Sequence, residues 1–173
     1  KFPKLFSVNP ENFSVTHADD KYIASNPELV DFFSIEEDEG FRDYIYRTEK
    51  LVSLQGSKLA KKKNLIAQFS KNYPAYHCEK ISPEIFTDCF SLAKKWRETK
   101  TCEHIGIIHE TSAMKEAFKN FGQIGLDGLA IFAENKIRAF SVFYRQNAET
   151  FIVNFEKSDR EIKGAAQIIN WET

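Results

Sequence analysis

The chain has 173 residues, 42% apolar and 28% charged, a balance that excludes disorder and allows one domain with a real core or parts of two. Lys plus Arg (24) nearly equal Asp plus Glu (25), which excludes a global field drawing in nucleic acid or membrane, so any polyanion site must be local. The three cysteines, Cys78, Cys89 and Cys102, have neither a CxxC pair nor metal-type spacing, which predicts free thiols in a reducing cytoplasm and no metal site.

Residues 1–40 are punctuated by Pro3, Pro10, Pro27 and Gly40. Within them "NPELVDFF" predicts a short helix, with Asn26 as cap and Pro27 in the first helical position. After the acidic run "EEDEG", the alternation in "FRDYIYR" (41–47) predicts a strand. Gly56 precedes a lysine-rich helix over residues 57–72, closed by "NYP", and "AYHCEKI" reads as a second short strand. "SPEIFTDCFSLAKKW" predicts a helix with Ser82 as cap, Pro83 first, and Phe86, Cys89, Ala93 and Trp96 on one face. Beyond the linker "RETKTCEHIG", Met114, Ala117, Phe118 and Phe121 recur at helical spacing. "LDGLAIFA", "IRAFSVFYR" and "TFIVNFEK", joined by "ENK" and "QNAE", predict an antiparallel meander, and a last helix follows "FEKSDREIKG". The fold class is α/β of the α+β kind, a mostly antiparallel mixed sheet flanked by helices. No apolar run reaches about 18 residues, so no membrane-spanning helix is expected.

The lysine helix raises a question of chemistry. Wound at about 100° per residue, Leu59, Leu65, Ile66, Phe69 and Tyr73 form one apolar stripe, and Lys62 falls in its middle. Lys61 and Lys63 flank it, and Asn64 faces away. An ammonium on a core-facing stripe is costly unless it is paired or borders a cavity. Two readings stay open: Lys62 snorkels to water, or it reaches into a groove and holds a phosphate or carboxylate.

The stretch "DYIYRTEKLVSLQGSKLAKKKNLIAQFSKNYPAY" resembles the phosphatidylglycerol lysyltransferase C-terminal-like family of the GNAT-like acyltransferase superfamily. So does "GLAIFAENKIRAFSVFYRQNAETFIVNFEKSDREIKGAAQIIN", and together the likeness covers residues 41–173. It implies a GNAT-like acyltransferase fold in two tandem units, with residues 1–40 the tail of a first and 41–173 a second, incomplete at its C-terminus. The opening on Lys1 and the close inside a helical pattern fit that expectation. Relatives move an aminoacyl group from aminoacyl-tRNA to an acceptor such as a lipid headgroup. The implied partners are thus a tRNA 3′ end and a small-molecule, peptide or lipid-headgroup acceptor. Two departures stand out. The family's lysine-arginine-asparagine step reads Lys62, Lys63, Asn64, and in "REIKGAA" Arg160 lies one residue too far from Gly164 for an acyl-CoA pyrophosphate loop.

Acyl transfer needs an anchored donor, donors for the oxyanion and a proton acceptor. Glu156 is the candidate proton acceptor or amine binder; the alternative is a plain ion pair with Lys157. It follows the alternating run Phe151, Val153, Phe155 and is expected on the opposite face. Backbone N–H groups from Ser158 to Gly164 are candidates to face a phosphate or carbonyl oxygen, or else Gly164 serves a close helix–sheet contact. Lys61, Lys62, Lys63, Asn64, Arg145, Arg160, Gly164 and Asn170 complete the candidate substrate- and phosphate-binding set. Ser141, mid-strand, either lines a cleft or packs. The sequence carries three functions: transfer from aminoacyl-tRNA, CoA-dependent N-acetylation, or a non-catalytic binding module.

Overall fold

The structure, a computed structural model, describes residues 18–37, 44–98 and 105–173. Cys102 and most of the linker before the fifth helix lie outside the described residues. The chain divides into two compact units, Lys1–Ile45 and Tyr46–Thr173.

The first unit holds helix α1 (Asp20–Ser25), whose cap is Asp19: its Oδ1 accepts from Tyr22 N at 2.7 Å. The short helix expected at "NPELVDFF" follows as a 3₁₀ helix over Pro27–Asp31, with Pro27 at its start as expected but no side-chain cap bond from Asn26. The reason is local. The Asn26 amide donates back to the Tyr22 carbonyl at 2.8 Å and closes α1, so it caps nothing ahead of it.

In the second unit the strand expected over 41–47 is absent where it is described. Residues 41–43 lie outside the described residues, and Tyr46 and Arg47 carry no strand pairing. Alternation alone makes no strand without a neighbour to take its backbone bonds. Residues 44–47 have no regular structure, and a short helix α2 (Thr48–Ser53) follows them, ending in Leu54 at φ +47°. Helix α3 (Ser57–Asn72) is the lysine helix, with the stripe as expected: Phe69 is fully buried, and Leu59, Leu65, Ile66 and Tyr73 are half-buried.

Strand β1 (His77–Lys80) follows, then a 3₁₀ turn (Pro83–Ile85) running into α4 (Phe86–Glu98), and α5 (Ile105–Lys119). Strands β2 (Leu126–Ala133), β3 (Lys136–Arg145) and β4 (Phe151–Ser158) form the expected meander, and α6 (Ala165–Glu172) closes the unit. Glu134 and Asn135, at φ +54° and +58°, make the two-residue β2–β3 turn. The sheet runs β1-β2-β3-β4, antiparallel throughout.

Each face of the sheet has its own core. Cys89 and Leu92 of α4 and Met114 and Phe118 of α5 pack on Ala130, Phe140 and Val142. On the other face, Phe69 of α3 and Ala165, Ile168 and Ile169 of α6 cover Ile131, Ala133 and Ala139. The molecule is thus a mixed α/β structure, a four-stranded antiparallel sheet flanked by helices.

One irregularity governs the site. Val142 pairs with Phe155 but Phe143 with Val153, so Asn154 is an extra residue, a bulge in β4. The bulge reverses the alternation beyond it. Phe155 packs into the α4–α5 core, whereas Phe151 and Val153 come round to the face that Glu156 occupies. The expectation that Glu156 lies opposite all three therefore holds for Phe155 only.

Candidate functional site

Ser141 and Glu156 are direct cross-strand partners, so their side chains share the face covered by α3 and α6. Ser141 is fully buried, and its Oγ is the one buried side-chain polar atom among the described residues without a hydrogen-bond partner. An orphan hydroxyl in a core costs about 1–3 kcal/mol, a cost that a ligand could remove.

Glu156 is half-buried, and Asn170 of α6 donates from Nδ2 to its Oε2 at 3.4 Å. Burial pushes the Glu156 carboxyl above the usual glutamate range; the Asn170 bond and then the charges of Lys62 and Lys157 pull it back. A carboxyl raised by desolvation and set among polar groups is a better proton acceptor than an ordinary glutamate. Lys62 comes to this place from the middle of α3. It is half-buried, and its Nζ lies 5.7 Å from the Tyr46 ring centroid.

The fold therefore brings Lys62, Glu156 and Asn170 together and adds Ser141 and Tyr46. Tyr46 was hidden in a segment that reads as a strand. For Ser141 the sequence leaves two readings, lining a cleft or packing, and its register opposite Glu156 is what marks it. The remaining candidates lie elsewhere. Lys61, Lys63 and Asn64 are exposed on the outer side of α3. Arg145 is at the β3–β4 turn, where its Nε and Nη2 donate to the carbonyls of Asn147 and Ala148 at 3.0 and 2.9 Å. Arg160 lies over the Trp96 ring of α4, its guanidinium carbon 5.0 Å from the centroid, which draws it away from Glu156.

The turn from β4 to α6 is not the open amide nest expected of it. Asp159 N donates to Arg138 O, Glu161 N to Asp159 Oδ1, and Ile162 N to Asp159 O. Gly164 meets α3 rather than the sheet, with its φ at +91° and the Leu65 carbonyl directly against it.

An open cleft of about 430 Å³ lies by α4, lined by Lys95, Arg138, Asp159 and Glu161 among others. Four of its charged side chains are already engaged in ion pairs. Lys95 Nζ lies 3.2 Å from Asp159 and 2.6 Å from Glu161, and Arg138 lies 3.4 Å from Asp159 and 2.6 Å from Glu134. Lys157 is similarly engaged, 2.7 Å from Glu110 and over the Trp96 ring. These pairs fasten β3 and β4 to α4 and α5. The Ser141–Glu156 place, with an unpartnered donor, is the better candidate. Among the described residues no group of three or more His, Cys, Asp or Glu could hold a metal ion, and no helix is long and apolar enough to cross a membrane.

Lys62→Leu tests whether that ammonium serves the fold or the site. It is expected to leave the melting temperature unchanged or higher, because an apolar side chain suits the stripe better. It should also raise the Glu156 pKa further, seen in a carboxyl NMR titration, since one counter-charge is gone. A large loss of stability would instead mean a structural partner for the lysine.

A family model described as "Phosphatidylglycerol lysyltransferase, C-terminal" matches residues 11–173. Among solved structures, the chain is similar to the "Crystal Structure of Conserved Protein of Unknown Function from Bacteroides thetaiotaomicron VPI-5482", at 34% identity and a TM-score of 0.80. The match covers 88% of this chain and 52% of that one, so the chain spans about half the length of that relative. No curated protein matches the chain.

Proposed function

The chain belongs to the phosphatidylglycerol lysyltransferase C-terminal family, and from that membership we propose that it moves an aminoacyl group from aminoacyl-tRNA to a hydroxyl or amine acceptor. The observation that carries this reading is the convergence of Glu156, Ser141, Asn170 and Lys62, from β4, β3, α6 and α3, on one face of the sheet. On this reading the acceptor's hydroxyl or amine attacks the ester carbonyl while Glu156 takes its proton. The Lys62 ammonium stabilises the tetrahedral oxyanion, and the buried Ser141 hydroxyl lies beneath Glu156. Collapse breaks the bond from the carbonyl carbon to the ribose oxygen, and that oxygen receives the proton from Glu156. Asn170 holds the carboxyl in place throughout.

The same reading takes the fold as GNAT-like and the chain as parts of two tandem units, 1–40 and 41–173, working in the cytoplasm. A solved relative of which the match covers only 52% supports a larger whole. Lys61 and Lys63, exposed beside Lys62, are suited to donor phosphates. An acyl-CoA donor is the competing reading. It is less favoured because Asp159, Glu161 and Ile162 already spend their amides inside the turn that would cradle a pyrophosphate.

The test is acceptor-dependent loss of label from tRNA charged with radiolabelled lysine. Vesicles containing phosphatidylglycerol, glycerol and simple amines would be the trial acceptors. Release above spontaneous hydrolysis, with no rise in melting temperature on adding CoA, is the expected result. Thermal protection by CoA together with acetyl transfer would replace the donor. Silence with both donors would leave a non-catalytic module.

A further inference from the structure

Beyond the Asn154 bulge, the Glu156 face of the sheet carries an apolar surface. Phe151 is 60% exposed and Val153 45%, and half-buried Phe143 lies across from Val153. The rings of Phe143 and Phe151 meet edge to face, their centroids 6.1 Å apart. Arg145, the cross-strand partner of Phe151, holds its guanidinium carbon 5.8 Å from that ring's centroid. Its bonds to the turn carbonyls fix it there. On this face Asp127 is matched by Lys80 at 3.5 Å and Glu156 lies near Lys62, so Arg145 is the charge at the edge of the rings.

An exposed aromatic ring beside a half-buried one on a four-stranded antiparallel sheet, with a cation at the edge, fits a single-stranded nucleic acid. Every base has a face to stack, and every phosphate a charge for a guanidinium. A lipid surface would call for several cations around the rings, and an obligate protein interface for a wider apolar area. Location agrees with the first. Arg145 is four residues along β3 from Ser141, a distance of about 13 Å at the usual strand rise, within reach of the last nucleotides of a bound RNA. Without the bulge, Phe151 and Val153 would face the other way.

We propose that Phe151, Phe143 and Val153, edged by Arg145, form a stacking platform for the single-stranded 3′ end of the RNA donor. The bases rest on the rings, and the ester-bearing end reaches Glu156. This rests on the aminoacyl-tRNA reading above and adds a binding surface to it.

The probe is a fluorescein-labelled single-stranded RNA hexamer ending in adenosine, followed by fluorescence anisotropy. Phe151→Ala is expected to weaken its binding about 5- to 100-fold with the salt dependence unchanged, because a stacking contact and not a phosphate contact is lost. Phe151→Trp should bind as well as the parent or better. Arg145→Ala should lower the salt slope by about one. Phe151 is exposed, so both of its variants should keep the parent melting temperature. Equal RNA affinity for Phe151→Ala and the parent overturns the platform, and so does a parent that does not bind the hexamer. A parent dimer that sediments as a monomer when Phe151→Ala is made would give the surface to a second copy and overturn it too. The two readings separate cleanly. A parent that binds RNA through Phe151 but transfers nothing removes the transferase and keeps the platform. Transfer by Phe151→Ala at the parent KM for charged tRNA removes the platform alone.

Discussion

Glu156→Gln is expected to lower acyl transfer by about 10²- to 10⁴-fold with little change in affinity for charged tRNA, the cost of losing a positioned proton acceptor. Glutamine keeps the size of the side chain and an oxygen for Asn170, so lost activity reports lost basicity. The pH dependence carries the second half of the prediction. Burial holds the Glu156 carboxyl above its ordinary range, and the base works as the carboxylate. Parent kcat/KM should therefore rise with pH through an apparent pKa above that of an ordinary glutamate, and the glutamine variant should lack this limb. Stability moves the other way. Between the ordinary and the raised pKa the folded state binds more protons than the unfolded one, so stability falls as pH rises through that window. The glutamine variant escapes this loss, and its melting temperature should equal or exceed the parent's at neutral pH and above. Parent-level transfer by the variant would remove Glu156 from the chemistry.

Gly164→Ala should be the most damaging small substitution in the described fold, lowering stability by roughly 3–5 kcal/mol. Two causes add. Residue 164 sits at φ +91°, which L side chains adopt only under strain, and a Cβ there would collide with the Leu65 carbonyl and lie 2.8 Å from the Phe69 Cβ. Backbone on one side and a fully buried ring on the other leave nothing flexible to give. Gly125→Ala is the internal control. Its φ is +68° but it has nothing within 4 Å, so it should cost only about 1–2 kcal/mol, the strain by itself. Urea unfolding checks this: the midpoint should fall far more for Gly164→Ala, with the slope unchanged. Equal losses would mean that the α3–α6 contact relaxes freely. Since α3 carries Lys62 and α6 carries Asn170, transfer should fall along with stability.

Much of the fold was legible along the chain because its signals are local. The stripe of Leu59, Ile66 and Phe69, the Pro83 start of the turn that leads into α4, and the turn residues around Asn135 each act within a few positions. Errors came where local signals needed a partner. "FRDYIYR" alternates like a strand, but no strand pairs with it over its described residues. Asn26 is a good cap, yet it spends its amide on the helix behind it.

The sequence by itself determined the family, the helices α3 to α6, the three-strand meander, and that Lys62 interrupts a buried stripe. Periodicity and turn chemistry belong to single segments, so they survive without coordinates. Only the tertiary structure decided which side chains meet. Asn154 inserts one residue into β4 and so turns Phe151 and Val153 toward Glu156, while the pairing of positions 141 and 156 sets an unpartnered hydroxyl beside a raised carboxyl. Register is a relation between strands, and helix packing then brings in Lys62 and Asn170 while Trp96 takes Arg160. No single segment encodes those relations, because each depends on the backbone bonds and surfaces of another.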